Sequence, residues 1–84
     1  MTSPLMITAN TLTAALALSV SLRTIVRLES ADPIATLDQV RDFPSATMFS
    51  VESNRFAGGE VVDVFGRLNS GSFRLFIVKA PDAV

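Results

Sequence analysis

The sequence predicts an α+β protein, in which an antiparallel sheet of four to five strands packs against one short helix. Three observations support this class. Apolar residues alternate with small or polar ones over a long N-terminal stretch, a capped helical segment follows it at about 32–43, and two alternating runs near the C-terminus flank a turn. Strands before and after one helix are most simply joined as an antiparallel sheet with the helix on one face.

The N-terminal stretch at about 12–29, LTAALALSVSLRTIVRLE, is predicted to be one long strand. Its even-numbered positions are apolar except Thr24, whereas its odd-numbered positions are mostly small or polar. Alanine and leucine at 14–18 favour a helix by intrinsic propensity, so the helical alternative is strongest there. The small side chains of Ala15, Ala17, Ser19 and Ser21 are expected to lie beneath the helix or against a second subunit.

The residues before this stretch are predicted to form a short strand from Leu5 to Thr8 and then a turn. The first 22 residues carry no charged side chain, which raises two membrane hypotheses. A spanning helix needs about 20 mainly apolar residues, and eight Ser, Thr and Asn side chains make this run polar. A signal peptide begins with basic residues, but no Lys or Arg precedes Arg23. A membrane-anchored small subunit using residues 5–22 remains an alternative.

The predicted helix at about 32–43 has clear signals at both ends. Asp32 is a good N-cap. Pro33 is a good first helical residue, because the backbone N–H that proline lacks would have no hydrogen-bond partner within the helix at that position. Pro44 ends the helix by pushing the preceding residue out of helical conformation. Ile34, Leu37 and Val40 fall on one side of this helix, which is therefore expected to be buried.

The C-terminal half is predicted to contain a strand at 47–53, a loop at 54–59 and a hairpin. The hairpin strands, 60–68 and 72–79, flank the turn sequence Asn69-Ser70-Gly71. If Leu68 lies opposite Phe73, then Arg67 faces Arg74 and Phe65 faces Phe76. One face of the hairpin is then a core surface of Val62, Val64, Leu68, Phe73, Leu75 and Ile77.

The other face of the predicted hairpin combines two aromatic rings with two arginines. Such a face can anchor a protein partner or stack nucleobases; alternatively, a second sheet or a second copy of the chain covers the rings. Two arginines of the long strand complete the candidate partner-binding residues, which are Phe65, Arg67, Arg74, Phe76, Arg23 and Arg27.

Composition limits the chemistry available to the chain. Its 84 residues predict one small domain over 1–84, and neither Cys nor His is present. A disulfide, a thiolate nucleophile and the commonest general base are therefore excluded. Asp38 and Asp42 lie one helical turn apart, but with Arg41 beside them they indicate a solvated helix face rather than a Mg²⁺ or Ca²⁺ site. We expect no catalysis, no metal ion and no cofactor.

These observations predict a small non-catalytic protein–protein interaction module. Hydrophobic residues form 49% of the chain, and so short a chain is expected to bury its apolar surplus as a homodimer. A short chain without Cys or His suits an inhibitor or adaptor, such as those that mobile elements encode to act on a host protein complex. Lack of cysteine indicates the cytoplasm. The alternative is single-stranded nucleic-acid binding by the hairpin face, which a net charge of −1 disfavours.

Overall fold

The computed structural model describes residues 7–56 and 59–80 of the chain. Two helices and five strands follow each other along it. They are β1 (Ile7–Ala9), α1 (Leu12–Leu22), β2 (Ile25–Ser30), α2 (Pro33–Asp42), β3 (Thr47–Phe56), β4 (Gly59–Leu68) and β5 (Gly71–Lys79). The predicted α+β class is confirmed, but the structure has two helices where the sequence predicted one.

All five strands belong to one sheet, in the order β1-β2-β5-β4-β3. The prediction of an antiparallel sheet is wrong, because β1, β2 and β5 run parallel and only β4 is antiparallel to its two neighbours. The β1–β2 pair is parallel because of the unpredicted helix, whereas β2 and β5 are parallel because α2 returns the chain before β3 and two antiparallel steps follow it. A helix between β1 and β2 returns the chain to the same end of the sheet, and the next strand then runs in the same direction.

The long strand predicted at 12–29 is wrong for its first half, which forms α1. The hydroxyl oxygen of Thr11 accepts a hydrogen bond from the Ala14 N–H at 3.2 Å and caps the start of this helix. Arg23 ends the helix in the left-handed conformation, with φ 53°. The second half of the stretch is a strand, as predicted, and β2 begins at Ile25.

The alternating pattern of α1 misleads because it alternates in size rather than in polarity. Leu16 and Leu18 alternate with Ala15 and Ala17, and both residue types are apolar and are strong helix formers. In the helix, Ala15, Leu16 and Ser19 are buried, a spacing that belongs to one helical face. Ala17 and Ser21 are exposed, so they do not lie beneath a helix.

Both helices pack on the same face of the sheet. Alternate residues of β2, β4 and β5 are buried together with residues of α1 and α2 in one core. Its largest members are Leu16, Val26, Leu28, Leu37, Val40, Val62, Val64, Phe73, Leu75 and Ile77. The core surface predicted for the hairpin is thus confirmed, except that Leu68 is only partly buried.

Helix α2 begins and ends as the sequence predicts. Asp32 is its N-cap, Pro33 its first residue, and the helix stops two residues before Pro44. Thr36, Leu37 and Val40 are buried, whereas Ile34 is 40% exposed, so the predicted buried side is wrong at Ile34. The helix is rotated toward Pro33 and Thr36, which take the place expected for Ile34.

Removal of the α2 cap gives a first testable expectation. The Asp32 carboxylate accepts a hydrogen bond from the Ala35 N–H at 3.2 Å. Asp32→Ala leaves that donor without its partner, and we expect the free energy of unfolding to fall by about 1 kcal/mol. Urea denaturation measures this loss. Asp38→Ala is the control, because Asp38 lies on the exposed side of α2 and only faces Arg41 at 3.6 Å; an equal loss in both variants would contradict a capping role.

The C-terminal hairpin forms, but its predicted register is wrong by two residues. Leu68 pairs with Gly71 rather than with Phe73, and Arg67 therefore lies opposite Ser72. The chain turns over two residues because Gly71 adopts a φ of +146°, a conformation that residues with a side chain rarely adopt. A shift of two residues keeps every side chain on its predicted face and changes only its neighbours.

Strand β3 is longer than predicted. It continues through residues 54–56, which the sequence assigned to a loop, and Gly59 of that loop already belongs to β4. Residues 57 and 58 lie outside the described residues. The register between β3 and β4 shifts between Met48 and Ser50, so Phe49 is an extra residue in β3.

Candidate functional site

One face of the sheet packs against neither helix, and we call it the open face. Its side chains alternate with the core residues along β2, β4 and β5, although Val78, at one end of this face, is also buried. Its polar and aromatic members are Arg27, Glu29, Phe49, Ser50, Glu52, Asp63, Phe65, Arg67, Arg74 and Phe76. Large side chains exposed on a flat sheet are the main candidate for a functional surface in this molecule.

Two phenylalanines form the apolar centre of β3 and β4 on the open face. The ring centroids of Phe49 and Phe65 lie 5.5 Å apart in an edge-to-face arrangement. The two side chains remain 56% and 40% exposed. Phe49 is the extra residue of the β3 bulge: it follows Met48, which lies on the core side, and the bulge lets the next residue, Ser50, lie on the open face as well, opposite Phe65.

Charged side chains of both signs surround these rings. The Arg74 guanidinium donates two hydrogen bonds to Asp63, from Nε at 3.3 Å and from the terminal nitrogen at 3.1 Å. These hydrogen bonds and the Asp63 charge raise the pKa of Arg74 above its ordinary value. Arg27 lies 3.7 Å from Glu29. Among the described residues, Arg67 and Glu52 have no ion-pair partner.

The backbone of Arg74 is held by a buried hydroxyl from α1. Ser19 is 1% exposed, and its Oγ accepts a hydrogen bond from the Arg74 N–H at 2.7 Å. The same hydroxyl lies 2.7 Å from the Thr24 carbonyl oxygen and 3.1 Å from that of Arg74, either of which accepts its proton. One side chain therefore fixes the end of α1 to the first residues of β5, which carry Arg74 onto the open face.

A groove of about 840 Å³ lies where α1 ends and β5 begins. Phe65 and Arg74 form its side toward the open face, and Arg23 lines it from the end of α1. Ser21, Thr24, Ser70 and Ser72 also line it, together with the apolar residues Val20, Ile25 and Phe73. The groove is thus an extension of the open face with a mixed polar and apolar lining, rather than a separate enclosed cavity.

The structure brings most of the candidate partner-binding residues onto one surface. Phe65, Arg67, Arg74 and Phe76 share the open face, and Arg27 of β2 lies beside Phe76. Arg23 was predicted to lie in a strand, but it is the C-cap of α1 and lies beside the groove. The predicted opposition of Arg67 to Arg74 is wrong, because Phe65 pairs with Arg74 and Asp63 pairs with Phe76.

Sequence reasoning missed two members of this surface, Phe49 and Glu52. Both belong to β3, whose alternation was recognised, but the bulge that places Phe49 on the same face as Ser50 and Glu52 leaves no clear signal in the sequence. Glu52 pairs with Asp63 across β3 and β4. It was identifiable only from the register between these two strands.

Two other kinds of site are absent from the part of the chain that the structure describes. No group of three acidic side chains there could hold a metal ion, and neither helix has the length and apolar character required to cross a bilayer. Comparison with protein-family models, with curated proteins and with solved structures finds no match for this chain.

Proposed function

We propose that this protein is a non-catalytic protein–protein interaction module that binds its partner through the open face. The observation that carries the proposal is the exposed Phe49–Phe65 pair, set among equal numbers of arginines and acidic residues. Three arginines, Arg27, Arg67 and Arg74, share this face with Glu29, Glu52 and Asp63. Aromatic anchors with polar surroundings are typical of protein interfaces.

Burial of the two rings would supply the main energy of binding. Complete burial of a fully exposed phenylalanine is worth roughly 1.5–3 kcal/mol, and because Phe49 and Phe65 are 56% and 40% exposed, each would contribute about half of that. The Arg74–Asp63 pair is already joined within the chain, so a partner need not supply a counter-charge for either group. Arg67, which lacks an ion pair among the described residues, is available to a partner, whereas the charge of Glu52 acts on Arg74.

The mode of action that we propose is that of an inhibitor or adaptor, of the kind that mobile elements encode against a host protein complex. Support comes from the small chain and from a sequence without Cys or His, together with a surface that has anchors but no arrangement of acid and base. A cytoplasmic location, expected from the lack of cysteine, belongs to the same proposal.

Single-stranded nucleic acid is the alternative ligand of this face. Phe65 is exposed beside Arg67, and such an arrangement on an open sheet can stack bases and bind the backbone. Three acidic side chains on the same face count against it, because each repels a phosphate. Arg74 is also engaged by Asp63. We therefore favour a protein partner.

Site-specific photo-cross-linking tests the proposal directly. A photoreactive benzoylphenylalanine is placed at Phe65 of the full chain, in the cells that naturally express it, and at Ile34 as a matched control. Both side chains are 40% exposed, but Ile34 lies on α2, on the other side of the molecule. We expect a discrete protein adduct from position 65 that excess unmodified chain suppresses, and none from position 34.

The outcomes of this experiment separate the two ligand classes. An adduct at position 65 that nuclease removes would replace the proposal with nucleic-acid binding. Equal adducts at both positions, or none at position 65, would contradict a binding role for the open face.

A further inference from the structure

The groove at the end of α1 differs in charge from the rest of the open face. Among the described residues that line it, the charged ones are Arg23 and Arg74, and both are basic. The acidic residues Glu52 and Asp63 line a smaller hollow of about 190 Å³ instead. Phe65 and Arg74 line both, and so they separate the hollow from the groove. The groove therefore presents positive charge to a partner, although the open face as a whole carries both signs.

Arg23 is the uncompensated charge of this groove. Its side chain is exposed and has neither an ion pair nor a hydrogen bond with any described residue. Arg74 differs, because Asp63 accepts hydrogen bonds from two of its nitrogen atoms. A guanidinium has more N–H donors than these two. Arg23 thus supplies net charge to the groove, and Arg74 supplies donors whose orientation is fixed by Asp63.

The backbone of Arg23 has a conformation that glycine adopts most easily. Its φ is 53°, in the left-handed region, at the residue that ends α1. Glycine is the usual residue at such a helix end, because a residue with a side chain is strained there. The Arg23 cation either interacts with the partial negative charge of the helix end or binds a ligand in the groove. Substitution by glycine distinguishes these two roles.

The remaining lining of the groove suits a peptide better than a small ion. Phe65, which is 40% exposed, lines it together with the half-buried side chains of Val20 and Ile25. The exposed residues Ser70 and Ser72 add hydroxyl groups, which can both donate to and accept from a peptide backbone. A volume of about 840 Å³ is typical of a site for a drug-sized ligand, which is comparable in size to a short peptide.

We propose that the groove binds an acidic peptide segment of the partner. The Arg23 guanidinium binds an Asp or Glu carboxylate of this segment, and an apolar side chain near that carboxylate packs against Phe65. Charge complementarity carries the proposal, because a guanidinium can donate paired hydrogen bonds to a carboxylate and no described carboxylate of the chain itself engages Arg23. The proposal rests on the proposed function, because Phe65 belongs to both the groove and the open face.

A selection from random peptides tests this chemistry. A phage-displayed library of short random peptides is selected on the full wild-type chain and, in parallel, on the Arg23→Glu variant. On the wild-type chain we expect peptides in which Asp or Glu stands near an apolar residue. On Arg23→Glu we expect Lys or Arg at that position, because like charges repel. The absence of an acidic family on the wild-type chain, or the same acidic family on both chains, would overturn the proposal.

Fluorescence anisotropy of a labelled peptide from the wild-type selection measures the contribution of Arg23. Arg23→Glu is expected to weaken binding at least about tenfold, and a peptide with Lys in place of its acidic residue should restore binding to this variant. Arg41→Glu is the control, because it makes the same charge change on the exposed side of α2, outside the groove. Its affinity should equal that of the wild type, and a loss as large as that of Arg23→Glu would contradict a local contact.

A single-stranded oligothymidine, labelled in the same way, is measured beside the peptide. We expect no binding that depends on Arg23. If the oligonucleotide binds more tightly than the peptide and Arg23→Glu abolishes that binding, nucleic acid replaces the acidic peptide as the ligand of the groove.

Arg23→Gly separates binding from folding. Glycine adopts a positive φ without strain, so urea denaturation should show no loss of stability. Peptide affinity should nevertheless fall by roughly two- to fivefold, as expected for the loss of one exposed ion pair. Unchanged affinity would show that Arg23 serves only the end of α1, and it would overturn the proposal.

Failure of this inference is distinguishable from failure of the proposed function. A protein adduct from position 65, combined with a selection that yields no acidic peptides, would leave the open face as an interaction surface and overturn only the acidic segment. The absence of both the adduct and the acidic peptides would overturn the proposed function as well.

Discussion

Gly66→Ala is expected to lower the free energy of unfolding by about 3 kcal/mol, the upper end of the cost of overpacking a core. A Cβ at this position would lie 2.5 Å from the Thr47 carbonyl oxygen and 2.7 Å from Cζ of the Phe73 ring. The ring can turn only within a fully packed core, and the carbonyl belongs to the neighbouring strand. β3 must therefore move away from β4, and the Phe49–Phe65 contact is weakened with it.

Urea denaturation measures the loss, and a double-mutant cycle identifies its cause. Phe73→Leu removes the ring but leaves the Thr47 carbonyl in place. We expect Gly66→Ala to cost roughly 1 kcal/mol less in that background, because the two sites are in contact. Ser72→Ala, an exposed position on β5, is the control and should stay within about 0.5 kcal/mol of wild type. If Gly66→Ala also changes the free energy of unfolding by less than about 0.5 kcal/mol, then β3 and β4 separate at little cost and the predicted clash is wrong.

Ser19→Ala is the second large expected effect, a loss of about 2–3 kcal/mol in the free energy of unfolding. The substitution leaves the Arg74 N–H without the acceptor it now has at 2.7 Å, and it leaves a carbonyl oxygen without its donor. Each buried polar group that loses its partner costs about 1–3 kcal/mol. The end of α1 should also separate from β5, since this hydroxyl is the polar link between them.

Ser21→Ala is the matched control, because Ser21 is exposed two residues further along the same helix. Urea denaturation of both variants should show a clear loss only for Ser19→Ala. Hydrogen exchange of the Arg74 amide gives a second measurement, and we expect it to become faster only when Ser19 is changed. If the two variants have equal stability and equal exchange, the Ser19 hydroxyl does not join α1 to β5.

Local signals in the sequence were reliable wherever the structure depends on neighbouring residues. Asp32 and Pro33 predicted the start of α2, because a cap is satisfied within three residues along the chain. Alternation along β4 and β5 predicted which side chains face the core, because that pattern survives a register shift of two. The shared face of Phe65, Phe76, Arg67 and Arg74 was predictable for the same reason.

The first half of the 12–29 stretch was not predictable in this way. Leucine and alanine fit a strand by alternation and a helix by propensity, so the local pattern permits both. Packing decides between them: as a helix, the segment places Leu16 in the core and Ser19 against the backbone of β5. The parallel pairing of β1 with β2 follows from that choice.

By itself, the sequence determined the α+β class, the capped helix α2, the two faces of the C-terminal hairpin and the absence of Cys and His chemistry. The tertiary structure decided that both helices cover the same face, that Phe49 joins Phe65, and that Asp63 engages Arg74. The physical reason is the distance along the chain between the residues that set each feature. Caps and alternation depend on residues close in the chain, whereas register, crossover and coverage depend on contacts between distant segments.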